Sequence, residues 1–314
     1  MVFFEENRAS DLPLDDVVDA LFGFFPDIEK EDIKFFYHGT YNVFEVKNQY
    51  IFRIPDKVFR NLKGVKLIQN EVKMLHHIQK YVSVSIPDPL YISIDPECPF
   101  MGYKKLEGTP LSQCFNEASK NVKIRVAREI GEFLSELHSD KLFQEALGNQ
   151  IVKSSFSCKI YREKWERCFE KIQSTIFKSM DSTQKKWIIN LFTSFLNEQE
   201  NFNFKYTIIH GDFDITNIIV DPITFKLTGI VDFEESRIYD PAADFIFYDE
   251  GDIFLNEILS SYQGIIDKNF ENRMKFLYGR SGLEYIDFGY ENNISDMVEA
   301  GFQILRKAMK RFPI

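Results

Sequence analysis

His210-Gly211-Asp212-Phe213-Asp214-Ile215-Thr216-Asn217 closes one short apolar run, 206–209, and a second apolar run, 227–231, ends in Asp232-Phe233. Short apolar runs rich in β-branched residues read as buried strands. Strand ends are where a rigid framework presents polar side chains to a cleft. Two carboxylates, Asp212 and Asp232, and one amide, Asn217, can therefore meet at neighbouring strand ends. Phosphoryl transfer needs this set: one carboxylate to orient or deprotonate an acceptor hydroxyl, and an Asn with a second Asp to hold Mg2+ against nucleotide phosphates.

The spacing His-x-Asp-x-x-x-x-Asn followed by Asp-Phe matches the catalytic loop and metal-binding segment of protein kinases. Protein kinases carry Arg where this chain has Gly211. In that respect the segment resembles the aminoglycoside phosphotransferases and related small-molecule kinases, and among them the 2''-phosphotransferase branch. The resemblance implies an α+β, protein-kinase-like fold of two lobes. Residues 1–105 would form a nucleotide-binding lobe with a five-stranded antiparallel sheet and a helix. Residues 106–314 would form a mainly helical lobe for catalysis and acceptor binding.

The pattern along the chain agrees. Asp15 and Asp16 favour the start of a helix over 14–25, stopped by Pro26. Aromatic and β-branched segments at 33–37, 43–46 and 50–54, separated by turn residues, predict an antiparallel meander. Val65, Ile68, Val72, Leu75 and Ile78 form the stripe of a helix over 63–80, and strands are expected at 90–94 and 99–105. Gly108 and Pro110 mark the lobe boundary. Beyond it the spacing predicts helices at 122–138, 161–178 and 183–200, with helices resuming from Ala242.

The resemblance also places residues upstream of the loop. Arg53 falls where a kinase has its strand-three Lys, with Glu71 as its helical partner. Thr40, Tyr41 and Asn42 would cover the phosphates from a turn that contains only one glycine. Tyr103, Lys104 and Leu106 would form the purine-binding hinge. A bulky Tyr103 there favours guanine over adenine, so the donor is GTP or ATP with GTP the sharper expectation. His210 joins Asp212 in the catalytic loop as a brace rather than a base.

After Asp232 the chain is strongly acidic through Asp252. Converging carboxylates focus a negative potential that attracts a polycation. Asp214, Glu235, Asp249 and Glu250 are the candidate acceptor ligands, and an aminoglycoside hydroxyl is the candidate acceptor. Asp240 before Pro241 and Asp244 suit structural roles instead. Tyr285, Phe288 and Tyr290 suit core packing more than stacking on a sugar. Two other functions stay open: a kinase of another small cationic or amino-sugar metabolite, such as choline or homoserine, and a nucleotide-binding module without turnover.

The formal charge of −10 argues against nucleic-acid binding. Cys98, Cys114, Cys158 and Cys168 lack metal-site spacing and read as reduced thiols. The sequence shows no signal peptide and no stretch of about 18 apolar residues. A cytoplasmic monomer without membrane attachment is expected.

Overall fold

A computed structural model describes residues 9–152 and 156–313. Three hairpin-linked strands, β1 (Ile33–His38), β2 (Tyr41–Val46) and β3 (Tyr50–Pro55), open a five-stranded antiparallel sheet. β4 (Pro89–Ser93) and β5 (Phe100–Lys104) complete it in the order β1-β2-β3-β5-β4. Lys47 and Asn48 both take left-handed conformations, the geometry that joins twisted strands by a two-residue turn. α1 (Leu14–Leu21) covers one face over Phe44, Phe52 and Phe100, and α2 (Leu62–Ile78) covers the other through Ile68 and Leu75.

The second lobe starts with a two-residue strand, β6 (Thr109–Pro110), and α3 (Leu111–Cys114). Then follow α4 (Lys120–Leu137), α5 (Asp140–Gly148), α6 (Cys158–Thr175) and α7 (Ser182–Asn197). Four short strands interrupt the helices: β7 (Thr207–Ile209), β8 (Ile218–Val220), β9 (Leu227–Ile230) and β10 (Arg237–Tyr239). The lobe ends in α8 (Asp252–Ser261), α9 (Phe270–Asn292) and α10 (Ser295–Arg311). One small sheet joins β6-β8-β9 and another pairs β10 with β7. No helix among the described residues is long and apolar enough to cross a membrane.

Some boundaries differ from the sequence reading. α1 stops at Leu21 because the amides of Phe24 and Phe25 both return to the Leu21 carbonyl and close a tight turn. Helix does not resume at Ala242: Asp240 caps a single 3-10 turn over Pro241–Phe245, and α8 begins only at Asp252, after Gly251 at a positive φ. Asp249 and Glu250 therefore precede the helix rather than begin it.

Asp240 is structural, as its place before Pro241 suggests. It is fully buried, accepts hydrogen bonds from Arg273 Nε at 2.9 Å and Tyr161 Oη at 3.0 Å, and caps Ala242. The other end of the same guanidinium forks onto Asp267 at 2.8 and 2.7 Å. Removing one partner of a buried ion pair strands the other, so Arg273→Ala is expected to cost about 3–5 kcal/mol. Urea unfolding would show this as a lower midpoint; an unchanged midpoint would remove Arg273 from the lobe's framework.

Candidate active site

β8 and β9 pair antiparallel with Ile218 opposite Ile230, which brings the next residues, Asn217 and Val231, side by side. The Val231 amide donates to the Asn217 carbonyl at 3.0 Å, so Asp232 emerges beside the catalytic loop. Asn217 turns its amide nitrogen to the Asp212 carbonyl at 2.8 Å, with the Asp212 carboxylate at 3.4 Å. Asp214 folds back onto Thr216, accepting from its amide at 2.6 Å and from its hydroxyl. The loop is thus braced from within.

From behind, Asp244 holds the loop. One carboxylate oxygen accepts the His210 amide at 2.7 Å and the other accepts the Gly211 amide at 3.0 Å. His210 is fully buried; its Nε2 faces the Val231 carbonyl at 2.9 Å and its Nδ1 faces the Asp212 amide at 3.4 Å. A carbonyl only accepts, so Nε2 carries the proton and Nδ1 is the acceptor. Burial also lowers the pKa of the imidazole, against the opposing charge of Asp244. His210 is a positioning residue. Gly211 sits at φ +93, and a Cβ there would lie 2.4 Å from the Glu235 carbonyl oxygen. No side chain fits this position.

Arg53 joins the lobes. Nη1 pairs with Glu71 on α2, while Nη2 reaches Asp232 at 2.8 Å and Glu234 at 2.6 Å. The guanidinium is buried and lies 4.3 Å from the Tyr41 ring centroid. An ammonium is a point charge; the planar fork is what allows one cation to serve three carboxylates. Asp232 itself takes φ +70, a left-handed conformation uncommon outside glycine. The pinned Val231 on one side and Arg53 on the other hold it there.

The remaining sequence-derived candidates divide. Thr40 is exposed at the tip of the β1–β2 turn, but Tyr41 is buried under Arg53. Asn42 is also buried, bonded to Asp11 at 2.7 Å and to Ser10 at 3.0 Å. The side chains of Tyr41 and Asn42 are thus engaged inside the lobe, and their backbone lies in β2, opposite Pro55 and Ile54 of β3. Tyr103 is buried on β5 opposite Ile51, Lys104 ends that strand exposed, and Leu106 crosses over Gly229. Glu235 pairs with Arg237 at 2.5 Å on the surface. Asp249 accepts from Tyr278 at 2.7 Å and Lys307 at 2.8 Å, whereas one oxygen of Glu250 is buried with no hydrogen-bond partner among the described residues. Phe288 and Tyr290 are exposed, which corrects the expectation of core packing for them.

A family model described as the phosphotransferase enzyme family matches residues 32–248, which takes in Arg53, Glu71 and the whole catalytic loop. The chain belongs to that family. Among solved structures, it superposes on the GDP complex of aminoglycoside 2'-phosphotransferase-IIIa with a TM-score of 0.83, at 20% identity over 95% of this chain and 98% of that one. The gentamicin complex of APH(2'')-IIa gives 0.68 at 22% identity over 95% and 97%. The macrolide 2'-phosphotransferase MphH from Brachybacterium faecium gives 0.70 at 15% over 93% and 98%. At these identities the likeness is one of fold.

The electrostatics of the phosphotransferase cleft follow from its crowding. The cleft walls partly desolvate the Asp212 carboxyl, and the charges of Asp214, Asp232 and Glu235 add to the effect, pushing it up to about 7 against the Asn217 hydrogen bond. Burial likewise pushes Glu234 up to about 8, opposed by Arg53. The sequence reading missed Glu234: it lies in the acidic stretch, but nothing in its spacing signals a partner 181 residues away. Tyr285 falls between the two uses the sequence offered. It lies half-buried on α9, where burial and the charges of Asp212 and Asp214 raise its hydroxyl to about 12.

Two measurements test this geometry. Arg53→Lys cannot serve three carboxylates at once and is expected to cost about 3 kcal/mol. Adding Glu234→Gln should recover part of the lost melting temperature; no recovery would mean that Glu234 is not held by Arg53. For Asp212, the folded pKa lies above the ordinary 3.8, so ionisation costs the folded state more than the unfolded one. Its stability contribution is full below that ordinary value and is lost as pH rises to about 7. The melting-temperature gain of Asp212→Asn should therefore grow between pH 4 and 7 and level off above; a difference independent of pH would show an unperturbed carboxyl.

Proposed function

We propose that the protein transfers the γ-phosphoryl group of GTP or ATP, with Mg2+, to a hydroxyl of an aminoglycoside, the 2''-hydroxyl being the first candidate, and so confers resistance. The carrying observation is the carboxylate crowding around Asp212. Burial pushes Glu250 up to about 7, with Asp249 and Asp214 adding to it, and Asp212 stands equally high. Carboxylates that repel one another in a partly desolvated cleft gain most from a ligand that brings several ammonium groups. An aminoglycoside supplies them. The solved relatives are described as complexes with kanamycin, gentamicin or streptomycin, and with GDP, ADP or ATP.

In this reading Asp212 accepts the hydrogen bond of the acceptor hydroxyl, holds its oxygen in line with the γ-phosphorus and takes its proton as the new O–P bond forms. The bond from γ-phosphorus to the β–γ bridging oxygen breaks, and the nucleoside diphosphate leaves with that oxygen. The Asn217 amide oxygen and the Asp232 carboxylate suit a hard divalent cation, which prefers oxygen donors. Magnesium held there would neutralise phosphate charge. Catalysis by this chain's own groups is positioning: Asp244 and His210 set the loop, and Arg53 sets Asp232. The β1–β2 turn at Thr40 lies over the phosphates, backed by Tyr41 and Asn42 at the start of β2, and the hinge from Tyr103 to Leu106 takes the purine.

The reading rests on charge, and proton uptake or release reports charge directly. Calorimetry of kanamycin binding at pH 7 in buffers of different ionisation enthalpy should show net proton release by the protein, since ammonium groups lower the pKa of Asp212 and Glu250. In turnover assays, kanamycin or gentamicin should be phosphorylated and choline, homoserine and a macrolide should not. Asp212→Ala is expected to lower turnover by about 10^3-fold or more with nucleotide affinity retained. Phosphorylation of choline or homoserine alone would transfer the assignment to a metabolite kinase. Nucleotide binding with no acceptor turned over would leave a binding module.

A further inference from the structure

On the far side of Asp244 from the catalytic loop lies a cavity of about 690 Å³, within the range that holds small organic ligands. None of Asp212, Asn217, Asp232 and Arg53 lines it. Its floor includes His138 and Tyr262, both buried and hydrogen-bonded to each other at 3.1 Å. His138 Nε2 faces Asp244 at 3.1 Å on the same carboxylate oxygen that accepts the His210 amide. A carboxylate only accepts, so Nε2 carries the proton, and the Tyr262 hydroxyl is then the donor to Nδ1. A continuous line of hydrogen bonds runs from the cavity wall, through Tyr262, His138 and Asp244, to the two amides that shape the catalytic loop.

The cavity's charge is opposite to that of the protein. Lys80, Lys141 and Lys205 line it against Glu136 and Asp140, in a chain with a net charge of −10. Asp140 is paired with Lys205 at 2.5 Å, and Glu136 accepts the amide and hydroxyl of Ser83. Lys80 and Lys141 have no carboxylate partner among the described residues. The rings of Tyr81 and Tyr262, with Pro241 and Ile265, supply apolar wall. Lys141 lies 5.8 Å from the centroid of the Tyr81 ring, whose hydroxyl donates to Glu145. Two ammonium groups without a carboxylate partner, beside aromatic and aliphatic surface, suit a small organic anion with a flat or aliphatic body.

We infer that this cavity binds a small organic anion and that the bound anion acts on the catalytic loop through Tyr262, His138 and Asp244. A ligand that alters the Tyr262–His138–Asp244 hydrogen bonds would act on the loop from a distance, and hydrogen exchange at the two loop amides reads that coupling. The inference does not depend on which acceptor the cleft takes.

Benzoate and phenyl phosphate serve as carboxylate and phosphate probes, and inorganic phosphate as the bare anion. At least one organic probe should bind with one-to-one stoichiometry by calorimetry and more tightly than inorganic phosphate. The Lys80→Ala/Lys141→Ala double variant should weaken it by about tenfold, at two exposed ion pairs' worth of affinity, and leave basal nucleotide binding unchanged. Saturating probe should change hydrogen exchange at the His210 and Gly211 amides. Tyr262→Phe keeps the ring but not the hydroxyl; it should still bind the probe and lose that response. The proposal fails if no organic probe binds, if binding survives the double variant, or if exchange at the two amides does not respond in the wild type.

Discussion

Arg53 places one guanidinium among Glu71, Asp232 and Glu234, and the relation between the two lobes depends on it. Each of the carboxylates is costly to bring out of water alone; together around one cation they define a cleft with fixed walls. β3 carries the cation, α2 carries the carboxylate that keeps it in the first lobe, and the segment after β9 carries the two that reach across. The left-handed Asp232 is tenable only in that setting, between a pinned Val231 and the guanidinium. The geometry of the cleft around Asp232 is therefore set by an ion cluster rather than by apolar packing.

The side of the cleft around Asp212 is built on the opposite principle. There burial and the charges of Asp214, Asp232 and Glu235 hold the Asp212 carboxyl well above its ordinary range, with Asn217 as the nearest relief. A framework that tolerates this has to be stiff. Stacking of Phe213 on Phe133, the Asp244 clamp on two amides and the tie from the Ser112 amide to the Ile215 carbonyl supply that stiffness. Stability and function conflict at Asp212 and agree at Asp244.

The sequence was most legible where chemistry and spacing are local. The convergence of Asp212, Asn217 and Asp232 was readable because each stands at the polar end of a short apolar strand. The sheet was legible too, since alternating aromatic and β-branched runs with turn residues between them have one period. What stayed hidden needed contacts far apart in sequence. Glu234 was one acid among many until its partner in β3 was seen, and nothing near Asn42 in sequence signals that Asp11 and Ser10 hold its side chain. β6 and β10, of two and three residues, exist only through their pairing and have no periodicity of their own. α5, nine residues long, was lost beside α4, from which only the turn at Ser139 separates it.

Gly211 carries a consequence for how such a protein is governed. Protein kinases have an arginine at this point of the loop, and phosphorylated activation segments dock on arginines to switch a kinase on. Here the backbone conformation and the nearby Glu235 carbonyl leave no volume for any side chain, so that docking socket is sterically forbidden. A covalent on-switch of that design cannot be acquired by a single substitution. What fixes the loop instead is Asp244, through the amides of His210 and Gly211.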